Sequence, residues 1–381
     1  MKTELELISE QILKARNPED VFGQLNGDIQ KKTEQAKTIY RHLAKCTHPD
    51  RVDNGQKELA KVTFETLTEF WNAAKAKIEK KTYGNGCDSV KFDEITITTR
   101  KRTYRIFRKL ATTEMADIFE AKAEILGKTE RVLVEVAISS EDNEFWKTES
   151  VIYRSLMSEM EKDGERAGKL FISYLPKYLE TFSIPDPKTG LGKTASAYLA
   201  NDGFFTLSEV HDSYPAGVNP RDMAWMWNRL LEILGYIHSK SVIHGSVTLP
   251  HILIHPESHG AILADFKAGA MKKGEKIKIM DMQFADCYPP EVTKKLPATS
   301  ATDIYMSAMV MVKILGGDSK TKKIPESIPV FIRELLLRCL DDEPKKRPQN
   351  AWEVRDDFEK VLKRVYGERK YHHFSMPNPH S

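Results

Sequence analysis

Little in this 381-residue chain supports covalent or metal cross-linking. It has four cysteines, Cys46, Cys87, Cys287 and Cys339, far apart and without a Cys-x-x-Cys pair. That spacing speaks against a structural zinc site or a disulfide framework and fits a reducing compartment. Excess charge of one sign is also missing: 58 Lys and Arg face 55 Asp and Glu, for a net charge of +3. A surface dominated by basic groups for nucleic acid is thereby excluded, though a local patch can hide in a balanced sum. No apolar run is long enough to cross a bilayer. The most apolar stretch, Ile304 to Leu315, is about half the necessary length and contains Ser307 and Lys313. Met1 to Glu10 mixes acids with Leu and Ile and lacks the basic and apolar regions of a secretory signal. Fixed-period repeats are absent as well. The expectation is a cytoplasmic protein with neither nucleic acid nor membrane as partner.

What is present is an ordinary globular mixture, 40% hydrophobic and 30% charged, long enough for two or three domains. Residues 1–82 carry helical periodicity only. Ala36, Ile39, Tyr40 and Leu43 follow one helix face, and Lys37, Arg41 and Lys45 follow the opposite one. Ala60, Phe64, Leu67, Trp71, Ala74 and Ile78 mark a second amphipathic helix, expected to pack antiparallel to the first. The polar loop between them runs from Thr47 through His48-Pro49-Asp50-Arg51 to Asn54-Gly55. Residues 30–51 hold six basic and two acidic groups, a local net charge of +4 in a chain that totals +3.

Beyond a break at Tyr83-Gly84-Asn85-Gly86, β-branched and aromatic runs predict strands at 104–107, 116–119 and 132–136. A helix is expected over 143–158, then strands near 174–182 and 195–199 with a Pro/Gly turn at 185–192, then mostly helix from Thr206. The fold class is α+β and multidomain. The expected divisions are a helical extension at 1–16, a helical domain at 17–82, a linker at 83–99, a sheet-rich part at 100–205, a helical part at 206–366 and a frayed polar tail at 367–381.

A Pro-containing tripeptide in a loop is usually just a turn. Here it joins two antiparallel helices behind a basic face. Together with Asn17-Pro18-Glu19-Asp20-Val21-Phe22-Gly23, Tyr40-Arg41-His42-Leu43-Ala44 and Phe64, the segment resembles the J-domain of DnaJ-type co-chaperones over about residues 17–80. The resemblance implies a DnaK-type heat-shock chaperone as partner. His48, Pro49 and Asp50 would be the loop that stimulates its ATPase, and Lys37, Arg41, Lys45 and Arg51 the docking charges. A basic stripe steers an acidic partner.

Further on stand His244-Gly245-Ser246 with Pro250-His251, then Asp265-Phe266-Lys267, Tyr288-Pro289-Pro290-Glu291, Asp303 and Arg347-Pro348. In order and spacing they resemble a protein kinase over about residues 100–366, a small lobe followed by a large one. That resemblance implies structural roles for Glu291 paired with Arg347 and for Asp303 as an anchor. Phosphoryl transfer needs a lysine–glutamate pair, an aspartate base and metal ligands, and most of these positions depart from the pattern. The segment from Lys109 to Ala116 has no glycine. The lysine position falls on Glu135 or, in another register, on Ser139, which leaves Glu149 without a lysine partner. Ser246 replaces the base, and His251 replaces the metal-binding Asn. Asp265 remains as a candidate for cation or nucleotide, with Lys122 or Lys267 as a relocated charge.

The sequence thus reads as a pseudokinase with no catalytic residues, no resident metal and no cofactor. ATP with magnesium is not expected to bind. The leading function is a co-chaperone whose kinase-like part binds a protein client, similar to bacterial-type fusions of the two modules. The alternative is an unconventional Ser/Thr kinase regulated through its J-domain. His244, His251, His255 and His259 are read as local structural residues. Trp225, Trp227, Met306, Met309 and Met311 are read as core packing.

Overall fold

The computed structural model describes residues 4–15, 17–23, 25, 27–83, 95–113, 115–164, 171–185, 192–269 and 274–377. The chain forms two compact units, one of residues 1–143 and 180–197, the other of 144–179 and 198–381.

The first unit begins with four helices: α1 (Glu4–Lys14), α2 (Pro18–Phe22), α3 (Ile29–Thr47) and α4 (Lys57–Glu79). Asn17 starts α2 through a reciprocal capping box with Asp20, and Asp28 caps α3 by accepting from the Lys31 amide. The apolar stripe of α3 meets that of α4. Tyr40 stacks on Trp71 with centroids 5.3 Å apart, and His48 lies edge-on to Phe64 at 5.3 Å, which makes the pair antiparallel. The segment 1–16 is not a separate extension. Ile12 is fully buried in the core that holds Ala36, Leu67 and Ile78, and the Thr63 hydroxyl donates to Ser9 at 2.8 Å. Burying this stripe gives α1 its place, because a lone helix of this length is marginal in water.

The same unit holds strands β1 (Ile95–Thr98), β2 (Thr103–Thr112), β3 (Ala116–Ile125) and β4 (Lys128–Ala137), successively antiparallel. With β5 (Tyr178–Pro185) and β6 (Gly192–Leu199) they form a six-stranded sheet in the order β1-β2-β3-β4-β6-β5. The expected linker 83–99 is corrected at both ends. Tyr83 is buried and donates its hydroxyl to the Gly23 carbonyl at 2.9 Å, and residues 95–98 are an edge strand. Linker residues 84–94 lie outside the described residues, as do Glu114 of the first hairpin and 186–191 of the Pro/Gly turn.

The second unit is mainly helical: α5 (Asn143–Lys162, all but its first residue), α6 (Leu207–Ser213), α7 (Pro220–Ser239), α8 (Pro290–Thr293), α9 (Ser300–Ile314), α10 (Val330–Cys339) and α11 (Ala351–Tyr366). The expected boundary at 205 therefore differs from the division found, which groups α5 with the later helices. A short sheet of β7 (Phe205–Thr206), β8 (Ile252–His255) and β9 (Gly260–Leu263) interrupts the stretch read as helical. The core centres on α7 and α9, where the Trp227 indole donates to Ser307 at 3.2 Å and Met306, Met309 and Met311 are completely buried.

The tail 367–381 was expected to fray, and its described part does not. Phe374 is buried against Tyr214 and Trp225. Tyr371 stacks on His259 at 4.6 Å, and His259 lies parallel to Trp225 at 4.2 Å. His372 binds Asp222, and the Tyr214 hydroxyl donates to the Ser375 carbonyl. Aromatic area outweighs the polar composition. Residues 378–381 lie outside the described set. No described helix is long and apolar enough to cross a membrane.

Candidate functional site

Two constellations carry the residues singled out by sequence, one in each unit. The first is the loop after α3. His48 ends that helix in extended conformation and opens a 3-10 turn over Pro49–Arg51. Its Nδ1 accepts the Asp50 amide at 3.2 Å and lies 3.7 Å from the Asp50 carboxylate. Pro fits the first position of such a turn because it has no amide to satisfy. The Phe64 edge holds the ring from behind, while Asp50 is strongly exposed. Arg41, Lys45 and Arg51 are exposed, and Lys37 is tied to Glu34 at 3.3 Å. The loop is a polar hook fixed at its histidine.

Of the remaining first-unit candidates, Lys122 projects from β3 into solvent and sits over the Phe107 ring at 5.5 Å. Glu135 lies within β4 opposite Ile118. Ser139 lies beyond the strand end and caps the following turn by accepting the Glu141 amide at 3.1 Å. Of the two alternatives for the lysine position, then, Glu135 is on the strand and Ser139 is a cap.

The second constellation surrounds Asp303 and Asp265. Asp303, buried at the start of α9, accepts the His244 and Gly245 amides at 2.8 Å each and faces His238 Nε2 at 2.8 Å. This carboxylate fixes the backbone of 244–246. Gly245 adopts a left-handed φ of 73°, and the Ile277 side chain fills the space where a Cβ would stand. A large residue at this position is therefore excluded by geometry. The His244 ring is fully buried. Its Nε2 donates to the Ala264 carbonyl at 2.9 Å, and its Nδ1 accepts the Ser246 amide at 3.2 Å. Acceptance of the Ser246 amide requires an unprotonated Nδ1 and so the neutral ring, and burial pushes its pKa down to about 4.

Ser246, where the kinase pattern has its base, presents a buried hydroxyl 3.1 Å from the Tyr288 hydroxyl. Burial pushes Tyr288 up to about 12, so neither group is poised to take a proton near neutrality. His251 Nδ1 donates to the Ser246 carbonyl at 2.8 Å, and its Nε2 lies 3.4 Å from Asp265.

Asp265 has a left-handed φ of 64°. Burial works against its charge. The nearby Lys267 and His251 nonetheless hold its pKa well below the usual carboxylate range. Lys267 Nζ is 3.2 Å from Asp265 Oδ2 and 3.9 Å from Glu149 Oε1. The expectation that Glu149 lacks a lysine partner is thus corrected: the ammonium comes from Lys267, far along the chain. Glu149 also accepts the Phe266 amide at 3.0 Å and the Tyr198 hydroxyl at 2.8 Å.

Nearby, Arg347 donates to both oxygens of Glu291, at 2.6 and 2.8 Å, with both side chains buried. The remaining histidines do not converge. His255 packs on Phe204 and His259 lies between Trp225 and Tyr371. Among the described residues, no group of three His, Cys, Asp or Glu is placed to hold a metal. The sequence offered Lys267 as a relocated charge but not its contact with Glu149, and it missed the aromatic packing of the tail. The first joins residues that no local pattern connects. The second was signalled only by isolated Tyr371 and Phe374.

No family model matches the chain. Over 146 residues it is 27% identical to 3-phosphoinositide-dependent protein kinase 1 of Arabidopsis thaliana, covering 31% of this chain and 30% of that protein. Over 175 residues it is 23% identical to serine/threonine-protein kinase PknD of Chlamydia felis, covering 36% of this chain and 19% of that protein. The chain spans less than a third of the length of these curated relatives. Protein-kinase-like similarity thus extends over about a third of the chain. These relatives lend no support to the co-chaperone reading of residues 17–82.

Proposed function

We propose that the chain is a J-domain co-chaperone carrying a kinase-like module that does not transfer phosphate. The helical domain recruits a DnaK-type heat-shock chaperone, and the kinase-like module binds a protein client. The observation that carries the first half is the 48–50 loop. A histidine braced on Phe64, a proline in the turn and an exposed aspartate stand at the end of a basic helix. The second half is supported by the similarity to Ser/Thr kinases, combined with a buried serine hydroxyl where the base belongs.

The unconventional-kinase alternative keeps one favourable observation, the Lys267–Glu149 contact. Two assays decide between the readings. The first measures ATP hydrolysis by a DnaK-type chaperone with the full chain and with His48→Gln. Stimulation by the wild type should fall to the basal rate in the variant, and equal stimulation by both refutes the loop assignment. The second measures radiolabelled phosphate transfer with Asp265→Ala as control. Transfer that depends on Asp265 overturns the non-enzymatic reading.

A further inference from the structure

A phosphoryl-transfer centre needs two separate positive charges here, a lysine against the helix glutamate and a divalent ion against the aspartate after the strand. In this chain one side chain touches both carboxylates. Lys267 Nζ stands 3.2 Å from Asp265 and 3.9 Å from Glu149, and lies over the Trp146 ring at 5.1 Å. Its side chain is only 6% exposed.

The carboxylates are otherwise engaged too. Asp265 Oδ1 accepts the Lys267 amide at 3.3 Å, and Oδ2 pairs with the ammonium and lies 3.4 Å from His251 Nε2. Glu149 uses one oxygen for the Phe266 amide and the other for the Tyr198 hydroxyl. A hard divalent ion needs several oxygens free at about 2.0–2.6 Å. Such an ion on Asp265 would also lie within a few ångströms of a buried ammonium, where repulsion is weakly screened.

We propose that Lys267 is the resident cation of this site. It takes the place of both the lysine and the divalent ion, and it keeps Asp265 from binding Mg²⁺ or Mn²⁺. The labels of the two positions rest on the kinase-like reading, but the contacts and their test do not. The proposal makes removal of the ammonium the step that creates a metal site. Without the ammonium, Glu149 and the partly exposed Asp265 are left with an uncompensated negative charge, which a divalent ion can neutralise.

The experiment titrates Mn²⁺ into the full-length protein and reads free Mn²⁺ by its paramagnetic resonance signal. Wild type, Asp265→Asn, Lys267→Arg, Lys267→Met, Lys267→Gln and the double variant Lys267→Met/Asp265→Asn are compared, with circular dichroism to check folding. Wild type and Lys267→Arg should show no Mn²⁺ binding that depends on Asp265. Lys267→Met and Lys267→Gln should each gain a site, at least about tenfold tighter than any in the wild type, and the double variant should lose it. Mn²⁺ binding by the wild type that disappears in Asp265→Asn overturns the proposal. So does a folded Lys267→Met or Lys267→Gln with no new site. Should both neutral variants fail to fold, the wild-type and Lys267→Arg comparison against Asp265→Asn still decides. No phosphate transfer or chaperone enters the readout, so failure here is distinct from failure of the functional reading.

Discussion

Replacing Arg347 by Met tests how the second unit is held together. The guanidinium donates to Glu291 through two bonds, to the Asp341 carbonyl at 2.6 Å, and to the Ala301 and Asp342 carbonyls at 3.2 Å. It also faces the Tyr305 ring at 4.7 Å. Its side chain is 0% exposed and that of Glu291 3%. Solvent screening therefore offers little relief when one charge is removed. Breaking such a buried pair costs about 3–5 kcal/mol, because the surviving charge is left uncompensated. For a unit of roughly 200 residues that corresponds to about 10 °C in Tm.

The double variant Glu291→Leu/Arg347→Met removes the stranded carboxylate as well. It leaves only the carbonyls and the Thr302 hydroxyl, which bonds Glu291 at 3.0 Å, to find new partners. Its loss should be about 2–3 kcal/mol, smaller than that of Arg347→Met alone. Four of the five tryptophans, Trp146, Trp225, Trp227 and Trp352, belong to this unit and Trp71 to the other, so tryptophan fluorescence in urea follows its unfolding most clearly when Trp71 is replaced by Phe. If the double variant is as unstable as the sum of the two single variants, the pair is not the coupled unit argued here.

Two further outcomes follow from the same unit. His244 titrates at about 4 when folded against 6.5 when free, so the unfolded state binds the extra proton between those values. Its contribution is complete above pH 6.5 and is lost as pH falls toward about 4, by roughly 3 kcal/mol in all. Urea melts at pH 7.5 and 4.5 should show this slope, and His244→Gln should flatten it. Phe374→Ala should cost about 3 kcal/mol as a buried aromatic is lost and should make residues 367–377 the first site of tryptic cleavage. Unchanged cleavage would mean that Phe374 does not hold the tail.

The amphipathic helices were legible because their stripes are long and regular. Ala36, Leu67, Ala74 and Ile78 all lie in the first core. The strands β2 to β4 were legible in type but came out longer than their β-branched runs. Their ends are closed by pairing, such as Thr103 with Thr98 and Lys128 with Ile125, rather than by propensity. Strand β1 escaped notice because Ile95-Thr96-Ile97-Thr98, although it alternates apolar and polar residues, is only four residues long and a mostly exposed edge. The short strands β8 and β9 were hidden in apolar runs too short to distinguish by period. In the site, each residue type could be placed on its own element from sequence, but not the meeting of Lys267 with Glu149. That contact depends on where α5 and the 265–268 turn pack in three dimensions.

The stack of Trp225, His259 and Tyr371 has an optical consequence. An imidazolium ion close to an indole quenches its emission, and the His259 ring lies 4.2 Å from Trp225 and parallel to it. Burial and nearby positive charge hold the pKa of His259 below its ordinary value, so the quenching form arises only in acid. Emission from Trp225 thus senses the ring above it, and with it the seating of Tyr371. The molecule carries an internal probe of its own C-terminal segment, readable without any added label.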